Sequence, residues 1–136
     1  MRFETKIAIA VREDLAAWQK LNVTAFLASG IAAEAPEIIG KSYEDGDGNG
    51  YLALFGQPVV VYAASAGQLS AAHAKGLSRG LAMAVYTEEM FATGNDEDNR
   101  AVVRAVGAGG LRFAGIAAHG PRNGVDKIFK GLALHP

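Results

Sequence analysis

The chain reads as an α/β protein: a single domain, residues 1–136, built as one mixed β-sheet with helices packed on both faces. Two observations predict this. β-rich apolar segments alternate with alanine-rich segments of helical spacing, the pattern of layered α/β architecture. Apolar residues make up 50% of the 136, enough for an ordinary buried core in one domain, and no repeat, low-complexity stretch or linker divides the chain.

Thr5 to Val11 is β-rich and apolar, a buried first strand, and it stops at Arg12-Glu13-Asp14, where Asp14 suits a helix N-cap. Leu15, Trp18, Leu21, Ala25, Ala28 and Ile31 then recur at helical spacing to about Ala33, and Pro36 with Gly40 closes the segment. Tyr51 to Phe55 and Val59 to Tyr62 read as two short strands joined through Gly56-Gln57-Pro58, a hairpin. Gln68 to Arg79 is helix-competent and stopped by Gly80, after which Leu81 to Tyr86 returns to strand. Asn95-Asp96-Glu97-Asp98 puts carboxylates at the start of a helix running to Val106, where the positive end of the dipole favours them. Gly107-Ala108-Gly109-Gly110 breaks that helix, Leu111 to Ala118 forms the last strand, and Val125 to Leu132 a short terminal helix.

A formal charge of −1 and a pI near 6.3 give no global field for a polyanion or an anionic membrane, so any nucleic-acid contact has to come from a local patch. Without cysteine there is no disulfide, thiolate metal site or cysteine nucleophile. The N-terminal apolar run, Ile7 to Val11, is too short for a signal-peptide core or a membrane span, so the expected location is cytoplasmic.

Glu44-Asp45-Gly46-Asp47-Gly48-Asn49-Gly50 opens like an EF-hand calcium loop, but counting from Asp45 the bidentate position is Gly56 rather than glutamate. A glycine-rich turn is the expectation. His73, His119 and His135 share no ligand spacing, so no metal is expected. The glycine cluster at Gly107 follows a helix instead of a strand, and neither a dinucleotide fingerprint nor a P-loop lysine is present, so no cofactor is expected either. Ser65 lacks the frame of a nucleophile elbow.

In open α/β sheets ligands gather beyond the carboxyl ends of strands. Those ends here hold Arg12 to Asp14, Tyr86 to Glu89 and His119 to Asn123, with Lys20 and Asn22 early on the first helix. The expectation is a cleft that binds, and in an extended reading hydrolyses, a small polar or acyl-bearing ligand. Asp14, Lys20, Asn22 and Thr87 are its candidate catalytic residues, and Arg12 and Tyr86 its candidate ligand-binding residues. Arg12 and Lys20 would meet an anion, Asn22 and Thr87 would hydrogen-bond, and Asp14 would orient or act as base. In the competing reading Arg12 and Glu13 face solvent and Asp14 only caps. A homodimer pairing through a sheet edge such as Tyr51 to Phe55 is a further alternative.

KIAIAVREDL (Lys6 to Leu15) is similar to the opening of the type-two peptidyl-tRNA hydrolases. HGPRNGVDKIFKGLALHP (His119 to Pro136) resembles their closing segment, with Gly120, Pro121, Val125, Asp126, Lys127, Gly131, Leu132 and Leu134 on its pattern. WQKLNVTAFLASG, APEIIGKSYEDGDG, AVYTEEMFATG and the Asn99-Arg100 pair resemble, over nearly the full length, a bacterial family known as the domain of unknown function 2000. These resemblances imply the hydrolases' fold and an activity that nobody has assigned. The departures bear on function. The hydrolases' first helix begins G-K-V-A-A-Q, and Asn22 stands at the place of that lysine. Lys20 lies two residues earlier, a turn of roughly 200° around a helix. Their D-A-G-x-T is absent, the comparable stretch being Tyr86-Thr87-Glu88-Glu89-Met90. Hydrolysis of a peptidyl-tRNA or aminoacyl-RNA ester needs an activated water, an oxyanion donor and cations for phosphate. Asn22 can donate to an oxyanion but cannot neutralise one, which leaves RNA esterase action, with tRNA as partner, as the alternative to simple ligand binding.

Overall fold

The computed structural model describes residues 2–136. Its main elements are β1 (Thr5–Arg12), α1 (Ala17–Glu34), β2 (Tyr43–Glu44), β3 (Gly50–Tyr51), β4 (Val59–Ala64), α2 (Ala66–Ser78), β5 (Ala82–Thr87), α3 (Asp96–Arg104), β6 (Phe113–Pro121), α4 (Arg122–Ile128) and β7 (Ala133–Leu134). The described residues form one five-stranded sheet, in the order β5-β6-β1-β4-β7, and a separate two-stranded ribbon of β2 and β3. β1 runs parallel to β4 and antiparallel to β6, so the sheet is mixed. Helix α1 covers one face, while α2 and α4 cover the other.

The two faces are dictated by the alternation within β1. Ile7, Ile9 and Val11 join Val23, Leu27 and Ile31 of α1 in one buried layer. Ala8 and Ala10 point the other way, under Leu69, Ile128 and Phe129, because successive strand side chains leave opposite faces of the sheet. On β6, Gly115 lies directly under α1. A Cβ there would sit 2.7 Å from Val23 Cγ1 and 3.0 Å from both the Ala10 carbonyl oxygen and Leu27 Cδ1.

Three expectations are corrected. Val59–Tyr62 does not pair with Tyr51–Phe55: Ile7 aligns with Val59 and Leu134 with Tyr62, so β4 sits between β1 and β7. Tyr51 instead pairs with Tyr43, and Phe55 bridges to Ile39. Leu52 is 87% exposed and Leu54 is exposed too; their apolar character does not reflect burial. The terminal helix ends at Ile128, and Gly131, at φ 89°, turns the chain into β7. Asp14 does not cap α1, whose N-cap is Ala16; the Ala16 amide donates to Gln19 Oε1 at 3.0 Å.

The glycine-rich turn is the tip of the β2–β3 ribbon. Asp45 Oδ1 accepts from the backbone amides of Asp47 (2.9 Å) and Asn49 (3.0 Å). Its Oδ2 accepts from Asn49 Nδ2 (3.0 Å) and Tyr51 Oη (2.7 Å). These bonds, those from Asn49 and Tyr51 foremost, hold the carboxyl well below the usual carboxylate range.

Candidate functional site

The predicted site residues fall in four places: Arg12 with Asp14, Asn22 with Tyr86, Thr87 by itself, and Lys20 beside His135. Arg12 closes the strand. Its Nε donates to Asp14 Oδ1 at 2.6 Å, and its Nη1 pairs with Glu88 and reaches the Phe113 carbonyl at 3.3 Å. Glu88 also meets Arg112 at 3.4 Å, and Arg112 binds Glu89 Oε1 at 2.6 Å. The Arg12 side chain is only 13% exposed. Burial alone would favour its neutral form, but the bonds to Asp14 and Glu88 outweigh it and its pKa is raised. Arg112 in turn holds Glu89 below its ordinary range. Two arginines thus share three carboxylates, a knot that ties the ends of β1, β5 and β6 together and leaves little positive charge for an incoming anion.

Asn22 and Tyr86 do meet. Asn22 Nδ2 donates to Tyr86 Oη at 3.2 Å, bridging α1 to the last turn of β5. They line a hollow of about 360 Å³ walled by aromatic side chains. Trp18 packs edge-on to Phe91 at 6.0 Å, Phe91 lies 5.1 Å from Tyr86, and Phe26 lies 5.6 Å from Tyr86. The aromatic wall follows from helical spacing: Trp18, Asn22 and Phe26 are four residues apart and share one flank of α1. Asn95, Asp96 and Asn99 of the α3 region form the opposite wall. Asn95 is held in place as the N-cap of α3, its Oδ1 accepting from the Asp98 amide at 2.8 Å.

The hollow continues along β5, the edge strand of the sheet, into a cleft of about 510 Å³, which shares Phe26, Tyr86, Met90, Asp96 and Asn99 with it. At the far end of the cleft stand Glu34 and His119. His119 Nε2 is buried without a hydrogen-bond partner among the described residues. No lysine or arginine lines either part of this groove among the described residues, and Asp96 is paired with Arg100 at 2.5 Å.

Thr87 is 1% exposed, and its Oγ1 has no hydrogen-bond partner among the described residues. It is not among the residues that line the groove. Lys20 opens elsewhere: its Nζ lies 3.3 Å from His135 Nε2, on the flank of α1 that faces β4. The 200° turn between positions 20 and 22 therefore separates two candidates that had been grouped together. His73 is 7% exposed and rests on Phe113 at 4.6 Å; burial lowers its pKa. It belongs to the packing of α2.

Sequence reasoning missed His135 and the Phe26 wall. The aromatic spacing of α1 was visible, but the Lys20–His135 contact spans 115 residues and has no local signature. No group of His, Asp and Glu that could hold a metal ion occurs among the described residues, and no described helix is long and apolar enough to cross a membrane.

The fold and much of the sequence recur elsewhere. A solved structure, of the protein of unknown function Atu0240 from Agrobacterium tumefaciens strain C58, superposes with a TM-score of 0.97 at 49% identity, covering 99% of this chain and 100% of that one. Among curated proteins no sequence matches this chain. Residues 5–136 match a family described as a protein of unknown function, DUF2000.

Proposed function

Since the chain belongs to the DUF2000 family, a membership that carries a fold and leaves the chemistry to the site, we propose that it binds a small, polar, acyl-bearing ligand in the groove between α1, β5 and α3. The observation that carries this reading is the Asn22–Tyr86 pair at the foot of an aromatic-walled hollow. Within that pair Asn22 Oδ1 can still accept and the Tyr86 hydroxyl can still donate, the complement of an amide's N–H and C=O. Aromatic walls with a few convergent polar groups are the usual make-up of a small-molecule site. The charge of the groove selects further: with Glu34 and Asp96 in its walls and no lysine or arginine among its described lining residues, it favours a neutral or cationic ligand over a carboxylate or phosphate. Asp14 and Arg12 support the site from the side by fixing the strand ends, and Thr87, buried at the end of β5 next to Tyr86, contributes only indirectly. The same charge argument weighs against the RNA ester reading, which needs cations at the phosphates.

The test is a thermal-shift titration with N-acetylphenylalanine amide against the N-acetylphenylalanine carboxylate. The amide should raise the melting temperature in a saturable way, by about 1.4 kcal/mol of stabilisation at tenfold its Kd. The carboxylate should do less, and Asn22→Ala should abolish the effect. No shift with the amide, or a shift that survives both Asn22→Ala and Tyr86→Phe, ends the proposal.

A second reading, association of two copies, is favoured by one observation: Tyr43, Tyr51, Leu52 and Leu54 are all exposed around the β2–β3 ribbon. Light scattering at increasing concentration should show a dimer that Leu52→Lys dissociates. A monomer throughout refutes it.

A further inference from the structure

We infer that a second site, for a monocarboxylate with a short apolar tail, lies on the flank of α1 away from the Asn22 groove, where Lys20 and His135 stand beside an apolar hollow. The hollow measures about 500 Å³, within the range of small-molecule sites. Val11, Leu21, Val61 and Pro136 supply its apolar surface. Its polar groups are few and ordered. Lys20 Nζ donates to His135 Nε2 at 3.3 Å, and His135 Nδ1 donates to the Pro136 oxygen at 3.0 Å. In this arrangement Nε2 is the accepting nitrogen and the ring N–H is the one on Nδ1.

The chain holds this geometry from both sides. The His135 amide donates to the Val61 carbonyl at 2.9 Å, continuing the pairing of β7 with β4. On α1, Thr24 Oγ1 donates to the Lys20 carbonyl at 2.7 Å, so that hydroxyl's proton is turned back to the helix. Lys20 takes part in no ion pair among the described residues, whereas Lys6, Arg12, Arg100 and Arg112 all do. One N–H of its ammonium is directed at His135, and two remain to meet a carboxylate. Lys20 lines the hollow together with these apolar side chains, so its methylene stem can pack against the ligand's tail. Charge and surface therefore select the same class of molecule: an anion at one end and a hydrocarbon at the other. This inference is independent of the groove reading, because the two hollows share no lining residue.

The experiment is a titration of the full ¹⁵N-labelled chain with hexanoate, with hexanol and inorganic phosphate as comparison probes. Hexanoate should give saturable amide shifts confined to Lys20–Thr24, Val61 and His135, while hexanol, lacking the charge, and phosphate, lacking the tail, should each bind at least about tenfold more weakly. Lys20→Met, which keeps the stem and removes the charge, should weaken hexanoate about tenfold or more, and Lys20→Arg should retain it. Absence of saturable shifts with hexanoate, equal binding of hexanol, or unchanged binding in Lys20→Met overturns the inference. The comparison of probes on the unsubstituted chain stands even if a variant misfolds.

Discussion

Gly115→Ala tests the packing that sets the height of α1 over the sheet, and with it the width of both hollows. The added methyl would lie 2.7 Å from Val23 Cγ1, 3.0 Å from Leu27 Cδ1 and 3.0 Å from the Ala10 carbonyl oxygen. Ordinary carbon contacts begin near 3.5 Å, so the shortfall is a large fraction of an ångström against two buried side chains and one backbone atom. Val23 and Leu27 are themselves sealed in the core, and the backbone oxygen belongs to the central strand. Helix α1 must therefore rise or two side chains must leave their rotamers, a cost of about 1–3 kcal/mol for overpacking. Urea unfolding followed by circular dichroism reads this directly, and the melting temperature should fall by about 3–5 °C for each kcal/mol in a chain of this size. Val23→Ala, which frees the space that the new methyl occupies, should be less damaging in the Gly115→Ala background than alone. A Gly115→Ala protein within about 0.5 kcal/mol of the parent would refute the claim that α1 rests on β6 at this glycine.

Burial holds His73 neutral, lowering its pKa from 6.5. The unfolded chain takes up a proton as the pH falls through about 6.5 while the folded chain resists until a lower pH, so stability drops across that window. His73→Leu should flatten the difference in urea midpoint between about pH 8 and pH 5.5, and an unchanged slope would contradict the assignment. Arg12→Met strands Asp14 and leaves Glu88 with Arg112 alone, and should cost about 1–2 kcal/mol, the value for a partly exposed ion cluster. Adding Glu88→Gln should return part of that loss, and additive effects would show the pair to be uncoupled. Millimolar calcium should leave the melting temperature unmoved, because both Asp45 oxygens already accept hydrogen bonds from their own loop; a saturable upward shift would reverse that reading.

Long periodic segments were legible from residue order alone. The apolar run of β1 and the segment from Leu81 to Tyr86 declare themselves as strands, whereas the spacing from Trp18 to Ile31 located helix α1 but not its buried face: Trp18 (63%) and Leu21 (72%) are exposed, and Val23, Leu27 and Ile31 are the buried residues. Tyr51 to Phe55 misled because its alternation of apolar side chains is turned largely to solvent, and the true partners of β4 lie about fifty positions upstream and seventy downstream. At the site, Asn22 and Tyr86 were both named, Tyr86 because it stands at a strand end and Asn22 because it lies early on the first helix. What local spacing could not convey was grouping. Arg12 finds its partners in Glu88 and Phe113, and Lys20 in His135, through sheet order alone.

The alternation of isoleucine and alanine in β1 has a consequence for fidelity. If that strand slipped by a single position during assembly, three bulky branched side chains would be driven into the gap that two methyl groups now occupy, and the opposite layer would be left hollow. A slip by one position is thereby penalised twice, once by collision and once by vacancy. The central strand thus acts as a key that turns in one direction only, and the mouths of both hollows inherit their alignment from it.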